Sequence, residues 1–85
     1  MKQFNYTITD EVGIHARPAG MLAKTAKGFQ SEIIIEKDGK TVNATKLMML
    51  MSMGIKCGDT VTVTVTGEDE EVAADALQDF FSTNL

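Results

Sequence analysis

Residues Thr60 to Thr66 read Thr-Val-Thr-Val-Thr-Val-Thr. In a strand, successive side chains point to opposite faces. Val61, Val63 and Val65 therefore share one face and the threonines the other. Such a strand is covered on one side only, the pattern of an antiparallel sheet with one solvated face. Gly67 ends the run. The same half-covered pattern recurs at Lys2–Thr9, where Phe4, Tyr6 and Ile8 oppose Gln3, Asn5 and Thr7. It recurs at Glu32–Lys37, with Ile33 and Ile35 inward, Glu32 and Glu36 outward, and Ile34 as a lone apolar residue on the polar face. Asp38-Gly39 predicts a type I′ hairpin, which needs positive φ at both positions. That turn sets Ile35 against Val42 and Ile33 against Ala44, so register and pattern agree.

Between the strands the period lengthens. From Pro18, residues Ala19, Leu22, Ala23, Ala26 and Phe29 follow helical spacing. Gly28 suits a C′ position, with Phe29 as its apolar contact. Gly20 lies inside this helix, where it costs roughly 1 kcal/mol relative to Ala; tight packing or close approach by a partner would account for it. Thr45 to Met53 is short and very apolar, closed by Gly54. It divides into Leu50 and Met53 for the core and Leu47, Met48 and Met51 for a contact patch. Gly58-Asp59 is a turn. Glu68 to Glu71 fits the first turn of a last helix, where carboxylates complement the helix dipole. Ala73, Ala76, Leu77 and Phe80 form its buried stripe, Phe81 broadens it, and its end frays near Ser82. The order β-α-β-β-α-β-α, with one apolar face on every element, predicts an α+β, two-layer open-faced sandwich: an antiparallel sheet with all helices on one side.

The chain of 85 residues makes one domain, and 44% hydrophobic content is ordinary for a folded one. Eight basic and twelve acidic residues give a net charge of −4, which argues against a generic nucleic-acid binder. The basic residues are uneven, however: Arg17, Lys24 and Lys27 fall together after the single histidine. One cysteine, Cys57, cannot form an internal disulfide, which fits a reduced compartment. There is no Cys/His cluster for zinc, no signal-peptide pattern and no apolar run near the roughly 20 residues of a membrane span. A cytoplasmic protein without membrane insertion is the expectation.

The chemistry concentrates at Gly13-Ile14-His15-Ala16-Arg17-Pro18-Ala19-Gly20, which holds the only His and the only Pro. Pro is tolerated in the first helical turn, so Pro18 marks a helix start with His15 just ahead of it. A helix N-terminus presents free N–H groups and partial positive charge to an anion. Arg17 adds a guanidinium fork suited to phosphate oxygens. A neutral imidazole nitrogen can attack phosphorus and form a phosphoramidate. Asp10 and Glu11 could orient the ring, or simply be loop residues. No catalytic acid/base pair, P-loop or dinucleotide-binding glycine pattern accompanies the histidine. A nucleophile in an anion cradle, without machinery for a small substrate, fits a carrier better than an enzyme and implies no cofactor and no metal.

The stretch Gly-Ile-His-Ala-Arg-Pro-Ala at 13–19 resembles the active-site signature of HPr, the histidine-containing phosphocarrier family of the bacterial sugar phosphotransferase system. Lys37 to Asn43, Leu47 to Gly54 and Gly67 to Glu70 resemble further segments of that family, so the likeness runs over the whole chain. It implies strand order 1-4-2-3 with three helices on one face. It implies that His15 is phosphorylated on Nδ1 by phospho-enzyme I and passes the group to enzyme IIA domains of sugar permeases. Ala16, Arg17 and Pro18 would cradle the phosphate. Gly20, Lys24, Lys27, Leu47, Met48 and Met51 would dock both partners, with the chain a monomer. One departure stands out: many relatives carry a regulatory serine where this chain has Lys46. Thr45 is adjacent and could serve as the helix N-cap, a role lysine fills poorly. Met49 enlarges the apolar patch. Two other readings compete: a regulatory module of the same fold, whose known examples lack the histidine, and an acylphosphatase-like enzyme using Arg17 to bind substrate.

Overall fold

The alternating run forms the strand that joins the two halves of the sheet. The computed structural model describes all 85 residues. Its elements are β1 (Lys2–Thr7), α1 (Ala16–Lys27), β2 (Glu32–Lys37), β3 (Lys40–Asn43), α2 (Leu47–Ser52), β4 (Thr60–Thr66) and α3 (Glu70–Asn84). The sheet runs β1-β4-β2-β3 and every pair is antiparallel. Val61, Val63 and Val65 are fully buried, and so are Ile33 and Ile35 of β2 beside them. The threonines of β4 face the open side, where Thr62 donates to Asn5 and Gln3 donates to Thr64. All three helices lie on the other side. Burying one Val, Leu or Ile side chain this way contributes about 1.5–3 kcal/mol. No helix is long and apolar enough to cross a membrane.

The hairpin forms as its dipeptide requires. Asp38 has φ 52° and Gly39 φ 81°. Ile35 pairs with Val42. The Ala44 amide donates to the Ile33 carbonyl at 2.9 Å, which extends the same register.

Several local expectations shift. β1 ends at Thr7, because Ile8 exchanges backbone bonds with Asp59 and Gly58 of the neighbouring loop instead of continuing the ladder. Ile34 is half-buried rather than exposed. Gly28 is right-handed at φ −76°, and α1 closes with tight bonds from Gly28 to Thr25 and from Phe29 to Ala26 rather than a left-handed cap. Gly20 is not packed tightly, since a Cβ built there meets nothing within 4 Å.

On α3 the buried stripe is Ala73, Ala74, Leu77 and Phe81, and Ala76 and Phe80 are only half-buried. The reason is aromatic packing. Phe81 is fully buried with the rings of Phe4, Tyr6 and Phe80 edge-on to it at 6.0, 5.4 and 6.1 Å. The helix does not fray at Ser82. It runs to Asn84, and Leu85 is buried with its carbonyl accepting the amides of Thr9 and Asp10.

Of the acidic run, Glu70 and Glu71 occupy the first turn of α3, as the dipole argument expects. Asp69 does something else. Its carboxylate accepts the Ser31 hydroxyl and the amides of Ser31 and Gln30, both at 2.9 Å, and so ties the start of β2 to the start of α3. Gly67 allows that approach, for a Cβ there would lie 2.6 Å from Ser31 Cα. These bonds, the Ser31 hydroxyl first and the Gln30 amide next, hold the Asp69 carboxyl below the usual carboxylate range.

Candidate functional site: a half-exposed histidine at a helix start

The loop from Ile8 to His15 is suspended from three parts of the fold. Ile8 bonds Asp59, Asp10 donates to Leu85 at 2.8 Å, and Ile14 donates to Ile55 at 3.0 Å. Gly13 makes the last contact reachable. It has φ 80°, and a Cβ on it would sit 2.4 Å from the Ile55 oxygen. The loop delivers His15 in extended backbone to the N-cap of α1, with its side chain 44% exposed.

The ring does not cap its own helix. The His15 carbonyl accepts the Ala19 amide at 2.9 Å, and Pro18 has no amide to offer. That leaves the N–H groups of Ala16 and Arg17 without a protein acceptor at the positive end of α1. Arg17 is exposed and takes part in no ion pair. Asp10, His15, Arg17, Pro18, Met21 and Asn84 line a shallow depression of about 230 Å³. Two other depressions flank β1 and α3, and neither contains a histidine or arginine. Asp10 Oδ2 lies 3.7 Å from His15 Nε2, whereas Glu11 forms no ion pair with the ring.

The structure therefore brings His15, Ala16, Arg17 and Pro18 together. Gly20, Lys24 and Lys27 continue from Arg17 along the same face of α1 at three- and four-residue steps. Both lysines are exposed and unpaired. Lys27 is about 15 Å along the axis from Arg17, too far to share one phosphate with it.

Beside α1 packs α2. Leu50 is fully buried and Met53 half-buried, while Leu47, Met48, Met49 and Met51 are exposed, Met48 most of all at 75%. Sequence reasoning missed one exposed neighbour of the site, Met21. Met21 lies off the apolar stripe of α1, which is the signal that could have found it.

Thr45 is not the N-cap of α2. Its hydroxyl and amide both turn back to Asn43 Oδ1, at 2.7 and 3.0 Å, and the cap position falls to Lys46, which supplies no side-chain bond. The far end of α2 is clasped instead. Lys37 Nζ donates to the Gly54 carbonyl at 3.1 Å and to Asp59 Oδ2 at 2.9 Å. That ammonium, with the Lys56 amide, keeps the Asp59 carboxyl below its ordinary range.

Residues 2–83 match the profile of a family described as the PTS HPr component phosphorylation site. The HPr-like protein Crh of Halalkalibacterium halodurans is 49% identical over 67 residues, covering 79% of this chain and 80% of that one. Among solved structures, HPr of Thermoanaerobacter tengcongensis superposes with a TM-score of 0.93 at 42% identity, covering 98% of this chain and 93% of that one. Crh of Bacillus subtilis, described as a swapped dimer, gives 0.78 at 36% identity over 100% and 98% of the two chains.

Proposed function

The chain belongs to the PTS-HPr family, and from that premise we propose that it is a phosphocarrier whose phosphoryl acceptor is His15. The observation that carries this reading is the half-exposed ring, unused as a cap, beside two unpartnered amides and an unpaired Arg17.

In the proposed transfer, the lone pair of neutral Nδ1 attacks the phosphorus of phospho-enzyme I. The bond from phosphorus to its donor atom on enzyme I breaks; that atom keeps the electron pair and takes up a proton from solvent, and the newly phosphorylated ring releases one in exchange. The amides of Ala16 and Arg17 and the Arg17 guanidinium meet the phosphoryl oxygens; positioning and charge do most of the work in such transfers. The reverse exchange then loads an enzyme IIA domain. Neither step needs a cofactor or metal. The exposed face of α1 and α2, with Gly20, Lys24, Lys27, Leu47, Met48 and Met51, docks both partners in turn. The protein works in the cytoplasm as a monomer and binds no nucleic acid; a single mass in light scattering checks the monomer.

Phosphoenolpyruvate and enzyme I are expected to place one acid-labile, alkali-stable phosphate on the wild-type chain and none on His15→Ala. Unchanged labelling of that variant removes His15 from the role.

Similarity to Crh favours a second reading, a regulatory module that acts through the methionine patch without phosphotransfer. The presence of His15 argues for the carrier. Absence of labelling in the wild-type chain, with partner binding retained, would select the module.

A further inference from the structure

The geometry points to Asp10 as a positioning residue that keeps the His15 proton on Nε2 and so leaves Nδ1 as the nucleophile. This rests on the phosphocarrier reading. A neutral imidazole carries one N–H and one lone pair, and the partner of one nitrogen decides the state of the other. Asp10 Oδ2 stands 3.7 Å from Nε2, within ion-pair reach, and an approach of about half an ångström would make the contact a hydrogen bond.

Nothing else competes for either group. The Asp10 side chain accepts no hydrogen bond from the rest of the chain, and neither ring nitrogen is hydrogen-bonded elsewhere. The carboxylate is also placed independently of the ring. The Asp10 amide is anchored to Leu85, and the Asp10 carbonyl accepts the Gly13 amide at 3.1 Å, so the loop closes on itself just before the histidine. Asp10 lines the same depression as His15 and Arg17. A carboxylate thus stands at Nε2, in a depression that Arg17 also lines. A proton on Nδ1 would leave the carboxylate facing a lone pair, which is repulsive; a proton on Nε2 faces an acceptor. Asp10 touches no transferred atom and acts through the ring.

The test is nitrogen-15 spectroscopy of the labelled imidazole at alkaline pH, alongside transfer rates from enzyme I. In the wild-type chain the proton is expected on Nε2. In Asp10→Ala and Asp10→Ser the ring shifts move toward a mixture of tautomers, and transfer slows about 3- to 10-fold, the scale of one half-exposed hydrogen bond to a charged group. Asp10→Asn keeps an acceptor oxygen and restores the wild-type ring shifts. Unchanged ring shifts in both Asp10→Ala and Asp10→Ser overturn the inference, as does failure of Asp10→Asn to restore them. The spectra do not require phosphorylation, so they fail separately from the labelling of His15.

Discussion

Gly13 lies so close beneath Ile55 that a Cβ on it would be 2.4 Å from the Ile55 carbonyl oxygen and 2.6 Å from Lys56 Cα. The next amide, that of Ile14, donates to the same oxygen. The histidine loop is therefore seated on the segment that follows α2, which ties the position of His15 to the proposed docking helix. In Gly13→Ala the new methyl group must displace backbone, and the left-handed φ costs about 1–2 kcal/mol before any clash. We expect a loss of stability larger than that in urea unfolding and slower phosphoryl transfer from what remains folded. A variant as stable as the wild type would mean that the loop does not depend on this contact.

Arg17 has no structural partner, so its removal isolates its chemistry. Arg17→Ala is expected to melt within about 4 °C of the wild type, since exposed substitutions usually cost under about 0.5 kcal/mol. Its transfer to enzyme IIA should fall at least about tenfold, as one charge-assisted contact to the phosphate is lost. Stopped-flow transfer rates decide it; a full rate excludes Arg17 from the mechanism.

A Cβ on Gly20 would meet nothing within 4 Å beyond its own helix. Gly20→Ala should therefore stabilise α1 by about 0.5–1 kcal/mol, the ordinary helix preference of Ala over Gly. A large acidic side chain is another matter. Gly20→Glu should fold but raise the KM of enzyme I for the carrier, because it sits between Arg17 and Lys24 on the proposed docking face. Equal KM values for wild type and Gly20→Glu would take Gly20 off that face.

Asp69 sets an acid limit on the fold. Its carboxyl is held below the ordinary range, chiefly by the Ser31 hydroxyl and then the Gln30 amide. A depressed carboxylate contributes stability that is complete above its unfolded value of about 3.9 and is lost as pH falls through the lower folded value. Wild-type stability should thus decline as pH drops below about 4. In Asp69→Asn stability should be lower at neutral pH and fall less steeply in acid. Parallel acid limbs in denaturant titrations of the two proteins would show that the carboxylate does not carry this dependence.

Lys46 occupies the N-cap of α2 without capping it, and a cation there opposes the helix dipole. Lys46→Ser should stabilise the protein by about 0.5–1 kcal/mol. The wild-type chain should remain unmodified by HPr kinase and ATP, since lysine offers no hydroxyl and the Thr45 hydroxyl is bound to Asn43. Mass spectrometry checks this, and a phosphothreonine at Thr45 would overturn it.

Much of the fold was legible because periodicity is local. The alternation of Thr60–Thr66, the Asp38-Gly39 dipeptide and the helical spacing after Pro18 each report backbone geometry within a few residues, and each is found where it was expected. The division of α2 was legible for the same reason, with Leu50 inside and Leu47, Met48 and Met51 outside. So was the place of His15 at the head of α1, because a histidine just ahead of a proline at a helix start needs only neighbours in sequence.

What the sequence by itself determined is therefore the half-covered strands, the hairpin register and the placement of His15 and Arg17 at the head of α1. Tertiary structure alone decided which distant groups meet: Gly13 under Ile55, Asp69 on Ser31, Lys37 on Asp59, Leu85 against the histidine loop, and Phe81 rather than Phe80 at the heart of α3. It also separated Asp10 from Glu11, two adjacent loop acids of which one faces the ring. The physical reason is that hydrogen bonds and close packing act over a few ångströms in space. A pattern of residue types says which face is apolar, but only chain closure says which carboxylate comes within 4 Å of an imidazole.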